Sequence, residues 1–246
     1  MRYQNPSIVE ALCEFQFAES SPWDPTAFGM FFKQIESTLP VREQGEAIAA
    51  AIGESPSGLE HRITRVPRMR FLSEERNRIV QLGEHLLVVN VLKPYPHWAG
   101  LLELVQLAGE VYAKEVAEAP VVKATVRYID RLDFQLQGFR LSDWIKCDGE
   151  YFPKQLAECD SHAAFRLAMP VGDQEHFMLS LALNVEENGA VALTLDTEMF
   201  CERQFASVSE TTDLLNSFHD KIVFAFESCI TEKTRELLVP EGRTTA

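Results

Sequence analysis

Apolar and polar residues alternate with a period of two over SIVEALCEFQF, residues 7–17: Val9, Ala11, Cys13, Phe15 and Phe17 against Glu10, Glu14 and Gln16. That spacing predicts a half-buried strand. In WDPTAFGMFFKQIESTLP the period changes to that of a helix, with Phe28, Phe31, Phe32, Ile35 and Leu39 on one face. Asp24 and Pro25 open it and Pro40 closes it. Residues 41–57 keep no sustained period and read as a mobile connection. GLEHRITR, PRMRFLSE and RIVQLGEHLLVVNVL then read as strands, the last split into a hairpin at Gly83–Glu84. In PYPHWAGLLELVQLAGEVYAKEV, residues Leu101, Leu104, Val105, Ala108, Val111 and Tyr112 form one helical stripe.

A second long amphipathic strand, VVKATVRYIDRLDFQL, occupies residues 121–136. Val122, Ala124, Val126, Tyr128, Leu132, Phe134 and Leu136 share one parity, and Lys123, Thr125, Arg127, Arg131, Asp133 and Gln135 share the other. Asp130 is the misfit on the apolar face, where a carboxylate requires a partner or a bulge. Two short helical pieces, LSDWI and YFPKQLAE, precede three strands, HAAFRLAMPV, EHFMLSLALNVE and AVALTLDTEMF. The last element opens with a capping-box pattern at Ser207–Glu210. Its stripe of Leu214, Leu215, Phe218, Ile222, Phe226 and Cys229 predicts one helix running to about Leu238.

Both halves thus read strand, helix, antiparallel strands, helix. The fold expected is α+β: two pseudo-duplicated units, 1–119 and 120–238, fused into one curved antiparallel sheet with helices on one face, and a disordered tail over 239–246. This topology resembles the saddle of the TATA-box-binding protein. If the strands at 7–17 and 121–136 pair at the centre, Glu10 and Glu14 face Lys123, Arg127 and Arg131 in a charge ladder.

Charge and motif content narrow the chemistry. The net charge is −14, so DNA is not an expected partner. Five scattered cysteines without a Cys-x-x-Cys pair indicate a reducing compartment. With no signal-type or membrane-spanning apolar run, the expectation is a cytoplasmic protein with no membrane association. Against this acidic background, HRITRVPRMRFLSEERNR concentrates Arg62, Arg65, Arg68, Arg70, Arg76 and Arg78. Guanidinium groups suit bidentate acceptors such as a phosphate, a nucleotide or an acidic protein surface; the alternative is a solvated hairpin whose charges discourage edge pairing.

The six histidines form no metal-ligand spacing, and no phosphate loop, dinucleotide fingerprint or nucleophile elbow is present. No cofactor or metal is expected, and an enzyme is the less favoured class. His97, within Tyr95-Pro-His97-Trp98, and His219, at the edge of the last stripe, join Asp130 as weaker site candidates. Both histidines also fit structural roles, as an aromatic helix entry and a core-edge residue.

Three segments, Asn5-Pro6-Ser7-Ile8-Val9-Glu10-Ala11, Val126-Arg127-Tyr128-Ile129-Asp130-Arg131 and Leu215-Asn216-x-x-His219, with Phe226 and Ile230-Thr231-Glu232 beyond, resemble a sporadically distributed family of bacterial proteins. In that family the middle segment more often ends Arg-Tyr-Ile-Asn. The resemblance implies no activity and no catalytic residue; its patchy distribution points to defence or toxin–antitoxin genes. The leading expectation is a non-enzymatic interaction module, accessory or antitoxin-like, that meets a protein partner encoded nearby through Arg68, Arg70, Arg127 and Arg131. The alternative is a sensor or enzyme for a small anionic, nucleotide-like ligand. Homo-oligomerisation is left open.

Overall fold

The computed structural model describes residues 3–20, 23–55, 58–146, 163–185 and 189–240, with side chains at all of these except 46–66 and 163. Nine strands, β1 (Ile8–Phe17), β2 (Val41–Ser55), β3 (Gly58–Leu72), β4 (Arg78–Gly83), β5 (Leu86–Leu92), β6 (Val121–Gln135), β7 (Ala163–Gly172), β8 (Glu175–Val185) and β9 (Ala190–Cys201), form a single sheet in the order β2-β3-β4-β5-β1-β6-β9-β8-β7. All the pairings are antiparallel. The helices are α1 (Ala27–Ile35), α2 (His97–Glu115), α3 (Leu141–Trp144), α4 (Thr212–Cys229) and α5 (Glu232–Leu238). No described helix is long and apolar enough to cross a membrane.

The alternating pattern decides which sheet face is covered. Ala11, Cys13, Phe15 and Phe17 of β1 are buried, as are Ala124, Val126 and Tyr128 of β6. They pack with Phe31 and Ile35 of α1, Leu101, Leu104, Val105 and Ala108 of α2, and Leu215, Phe218 and Ile222 of α4. Leu132, Leu181, Leu183, Leu193 and Leu195 extend the same face toward Ile145, Ile230 and Leu238. Gly109 lets α2 approach the chain ahead of α4: a Cβ there would lie 2.7 Å from a Val208 methyl.

β1 and β6 are neighbours at the sheet centre, with Leu12 opposite Arg127 and Phe15 opposite Ala124. Two irregularities interrupt this ladder. At one end Phe17 pairs with Val121 while Gln16 pairs with Lys123, so Val121, and not Val122, enters the core. At the other, Ile8 pairs with Asp130 while Glu10 pairs with Ile129; the extra residue in β1 is a bulge.

Four expectations change. Within the expected connection 41–57, Val41–Ser55 form a strand, β2, paired with β3 from Val41–Leu72 to Ser55–Gly58. GLEHRITR and PRMRFLSE are one strand, because β3 continues past its five-residue ladder with β4 as a ribbon with β2. The last helix is two. Ile230 leaves helical geometry and bridges Ile145, Thr231 caps α5 by accepting from Thr234 N at 3.3 Å, and Thr231 and Thr234 hydroxyls donate to the carbonyls of Asp143 and Trp144. The helical piece YFPKQLAE lies outside the described residues, as does the chain after Pro240. The fourth change is the charge ladder. Arg127 turns to β9 and forms a two-pronged pair with Asp196, Nε–Oδ1 2.7 Å and Nη2–Oδ2 2.6 Å, while Glu10 accepts from Asn90 Nδ2 at 2.5 Å.

Bidentate geometry makes the Arg127–Asp196 pair worth about 1 kcal/mol despite its partial exposure. In urea unfolding, a double-mutant cycle of Arg127→Ala with Asp196→Ala is expected to show that coupling, and the cycle with Glu10→Ala clearly less. The reverse order would refute the register-based assignment.

Candidate functional site

The sheet sorts the candidate residues into two groups. Arg68, Arg70, Arg127 and Arg131 share the face away from the helices, as their register with Gly83, Gln81, Glu198 and Thr194 requires. His97, Asp130 and His219 share the helix side, where all three line one cavity of about 580 Å³.

The arginines are largely engaged. Arg70 Nη1 lies 3.4 Å from Glu43, Arg76 also pairs with Glu43, and Arg131 Nε donates to Asp133 at 2.8 Å. Arg68 differs: its Nε is buried and meets no acceptor among the described residues. The structure does not gather these groups around a common concave site.

The cavity lies between the entry to β1 (Pro6, Ser7, Ile8), the start of α2 (Tyr95 to Ala99), Tyr128 and Asp130 on β6, and His219 to Glu227 on α4. Local sequence explains each wall. Pro96 and Gly100 fold the α2 entry tightly, since a Cβ on Gly100 would lie 2.9 Å from Pro96. His97 takes a positive φ of 65°, a conformation that costs a non-glycine residue about 1 kcal/mol or more. On α4, Asn216 and His219 stand three residues apart on one helical face and hold Trp98 together. Trp98 Nε1 donates to Asn216 Oδ1 at 2.7 Å, and its ring stacks on His219 with centroids 4.6 Å apart and planes parallel.

From β6, Tyr128 presents its hydroxyl to the His219 ring. Tyr128 Oη lies 2.8 Å from His219 Nδ1 and 2.8 Å from Tyr95 Oη, making a file of three exchangeable protons. Burial pushes the His219 imidazole below its ordinary range and both tyrosines above theirs, so all three are neutral at pH 7. The file has two proton orders. If the tyrosines donate toward His219, its Nε2 carries the other proton; if His219 donates, Nε2 is an acceptor. One residue thus offers either polarity to a bound group.

Asp130 sits at the floor, 4% exposed. The β1 bulge swings Ser7 over it: Ser7 O accepts from Arg131 N at 2.9 Å, and Ser7 Oγ donates to Asp130 Oδ1 at 2.7 Å. Burial raises the carboxyl to about 7, opposed by the Ser7 hydrogen bond and the charge of Lys93. The sequence left a partner or a bulge open for Asp130; the structure supplies both, a hydroxyl just ahead of β1 brought over the carboxyl beside a bulge in that strand. Toward the rim lie Asp220 and Glu227, and Glu227 already receives the Tyr3 hydroxyl (2.9 Å) and Arg235. Among the described residues no group of three His, Cys, Asp or Glu is placed to hold a metal ion.

Ser7, Tyr95, Trp98, Tyr128 and Asn216 were not among the predicted site residues. A signal for most of them was present: Ser7, Tyr128 and Asn216 belong to the three distinctive segments read from the sequence, and Trp98 neighbours His97. No family model matches this chain, and no curated protein matches it either.

The Asp130 carboxyl generates a pH prediction. Its pKa is higher folded than unfolded, so between about 3.8 and 7 the native state holds the extra proton. Its contribution is therefore whole below the unfolded value and is lost as pH rises through about 7. Asp130→Asn keeps an acceptor for Ser7 and removes the ionisation. In denaturant titrations it is expected to gain on the wild type steadily from pH 4 to pH 8, by on the order of a few kcal/mol. A difference that stays flat with pH would show that Asp130 ionises in the fold as freely as in the unfolded chain.

Proposed function

We propose that this protein is a small-molecule receptor, a sensor rather than a general nucleic-acid or phosphate binder, with its ligand in the cavity between α2 and α4. One observation carries the reading. Ser7, Tyr128, Asp130, Asn216 and His219, drawn from three segments far apart in sequence, meet around one cavity or its Trp98 wall. A core built for stability alone gains nothing from a buried carboxyl, a hydrogen-bonded Tyr–Tyr–His file and a strained histidine beside an open volume. Each is a cost that a bound ligand would offset.

The ligand class differs from the nucleotide-like anion expected from the arginines. Among the described residues the cavity wall contains Asp130, Asp220 and Glu227 but no lysine or arginine, so the field of these groups disfavours phosphate. Ligand recognition is assigned to the cavity, and the arginine-bearing face is reserved for a protein partner. That second reading, an interaction module with an accessory or antitoxin-like role in defence, is favoured by the face that Arg68, Arg70, Arg127 and Arg131 share. The pseudo-duplicated, saddle-like origin belongs to the same proposal. It is supported by the repeated element order and by the adjacency of the two opening strands.

The receptor reading is tested by melting curves against a panel of amino acids, biogenic amines, nucleosides and nucleotides. A ligand at 100 times its dissociation constant adds about 2.7 kcal/mol, which for a chain of this size is a rise of roughly 5–10 °C. At least one compound is expected to produce it in the wild type and not in Trp98→Ala. If every shift persists in Trp98→Ala, the ligand binds elsewhere and the reading is wrong.

A further inference from the structure

The floor of the cavity specifies the ligand more narrowly. Asp130 is buried and lines the cavity. One carboxyl oxygen is taken by Ser7 Oγ; the other meets no hydrogen-bond donor among the described residues. A buried carboxyl normally satisfies both oxygens, and one left open toward a cavity asks for a donor from whatever fills it. Among the described residues Lys93 is the cation that acts on the carboxyl, through space, and it is not part of the wall. Tyr95 and Tyr128 lie close enough to feel its charge, and the Trp98 ring lines the same cavity. Aromatic faces beside a carboxylate, with no lysine or arginine among the described wall residues, are surroundings in which an organic ammonium group is held by charge, hydrogen bonding and ring quadrupoles together.

We propose that the ligand carries a protonated primary or secondary amine, whose N–H meets the open oxygen of Asp130 while its charge lies against the aromatic wall. This inference rests on the receptor reading above and deepens it by fixing the ligand's charge. The Tyr95–Tyr128–His219 file then serves the remainder of the molecule, presenting donor or acceptor at His219 as required. Glu227, already engaged by Tyr3 and Arg235, and Asp220, exposed on the rim, attract the cation toward the mouth without competing for the seat.

The test uses matched sets that share a skeleton and differ in charge: 2-phenylethylamine, 2-phenylethanol and phenylacetate, and tryptamine, its alcohol and its carboxylate. Affinities are measured by calorimetry on the full chain, wild type and Asp130→Asn. Asparagine retains the acceptor for Ser7, and folding of the variant is checked by its melting curve. The expected result is that the amines bind at least tenfold more tightly than their alcohols, that the carboxylates do not bind, and that Asp130→Asn erases the amine preference by lowering amine affinity. Alcohols or carboxylates binding as tightly as amines, or an amine preference that survives in Asp130→Asn, would overturn the cationic class and leave the receptor reading standing. No binding by any of the six would also overturn it, and the wider panel with Trp98→Ala then decides the receptor reading on its own.

Discussion

The pairing of β1 with β6 is the constraint on which the rest of the structure depends. It joins residues 8–17 to residues 121–130 at the centre of a nine-stranded sheet, and every other strand adds outward from that seam. Because side chains alternate, this one register fixes which residues of both strands face the helices and which face away. The bulge at its end then does what a regular ladder could not. It sets Ser7, just ahead of β1, against Asp130 of β6, through a backbone bond to Arg131 and a side-chain bond to the carboxyl. The polar floor of the cavity is a by-product of a single extra residue in the central seam.

That seam also separates two kinds of electrostatics. On the uncovered face, polar side chains satisfy one another in a row across the sheet: Gln81 donates to Asn90, Asn90 to Glu10, and Arg127 to Asp196. Apart from Asn90, which is buried, these groups are partly solvated, so their pairing sets register more than it adds stability. On the covered face Asp130, His219 and the tyrosines lie in low dielectric, where a charge is costly and a hydrogen bond is strong. The same residue types thus act as solvated ladder on one side and as tuned, near-neutral chemistry on the other.

The sequence made the strands at 7–17 and 121–136 legible because each carries a clean two-residue period over ten or more residues. It left β2 illegible. Val41–Ser55 has glycine and alanine where a strand would show β-branched or aromatic side chains, and its conformation is supplied by backbone pairing with β3. The break at Ile230 was concealed by a stripe that continues in phase across it, although Thr231 and Thr234 carried a capping signal. For the site, Asp130 stood out as a polar intruder in an apolar row, and His97 and His219 were visible as histidines beside apolar stripes. Their meeting was not visible, since it depends on how α2 and α4 cross the same strand. Ser7 depended on a bulge, for which the alternating pattern gave no warning. The arginine cluster, by contrast, was conspicuous in sequence and is dispersed along a strand face by the fold.

The cavity's walls are held from both ends. As α4 and its preceding turn advance from Val208 to His219, they meet α2 from Gly109 back to Trp98. At the first contact there is no room even for a methyl group; at the second, Trp98 is fixed by its edge to Asn216 and by its face to His219. Two such anchors about three helical turns apart leave the helices little freedom to close over the space between α2, α4 and β6. Empty volume beside a carboxyl would otherwise be removed by collapse, as it is in ordinary cores. Here the same Trp98 that props the helices apart stacks on the histidine whose other contact is the Tyr128 hydroxyl, so the element that preserves the space also orients the groups facing it. The hydrogen bonds that lock these rotamers are also what lets the polar groups stay buried beside a cavity.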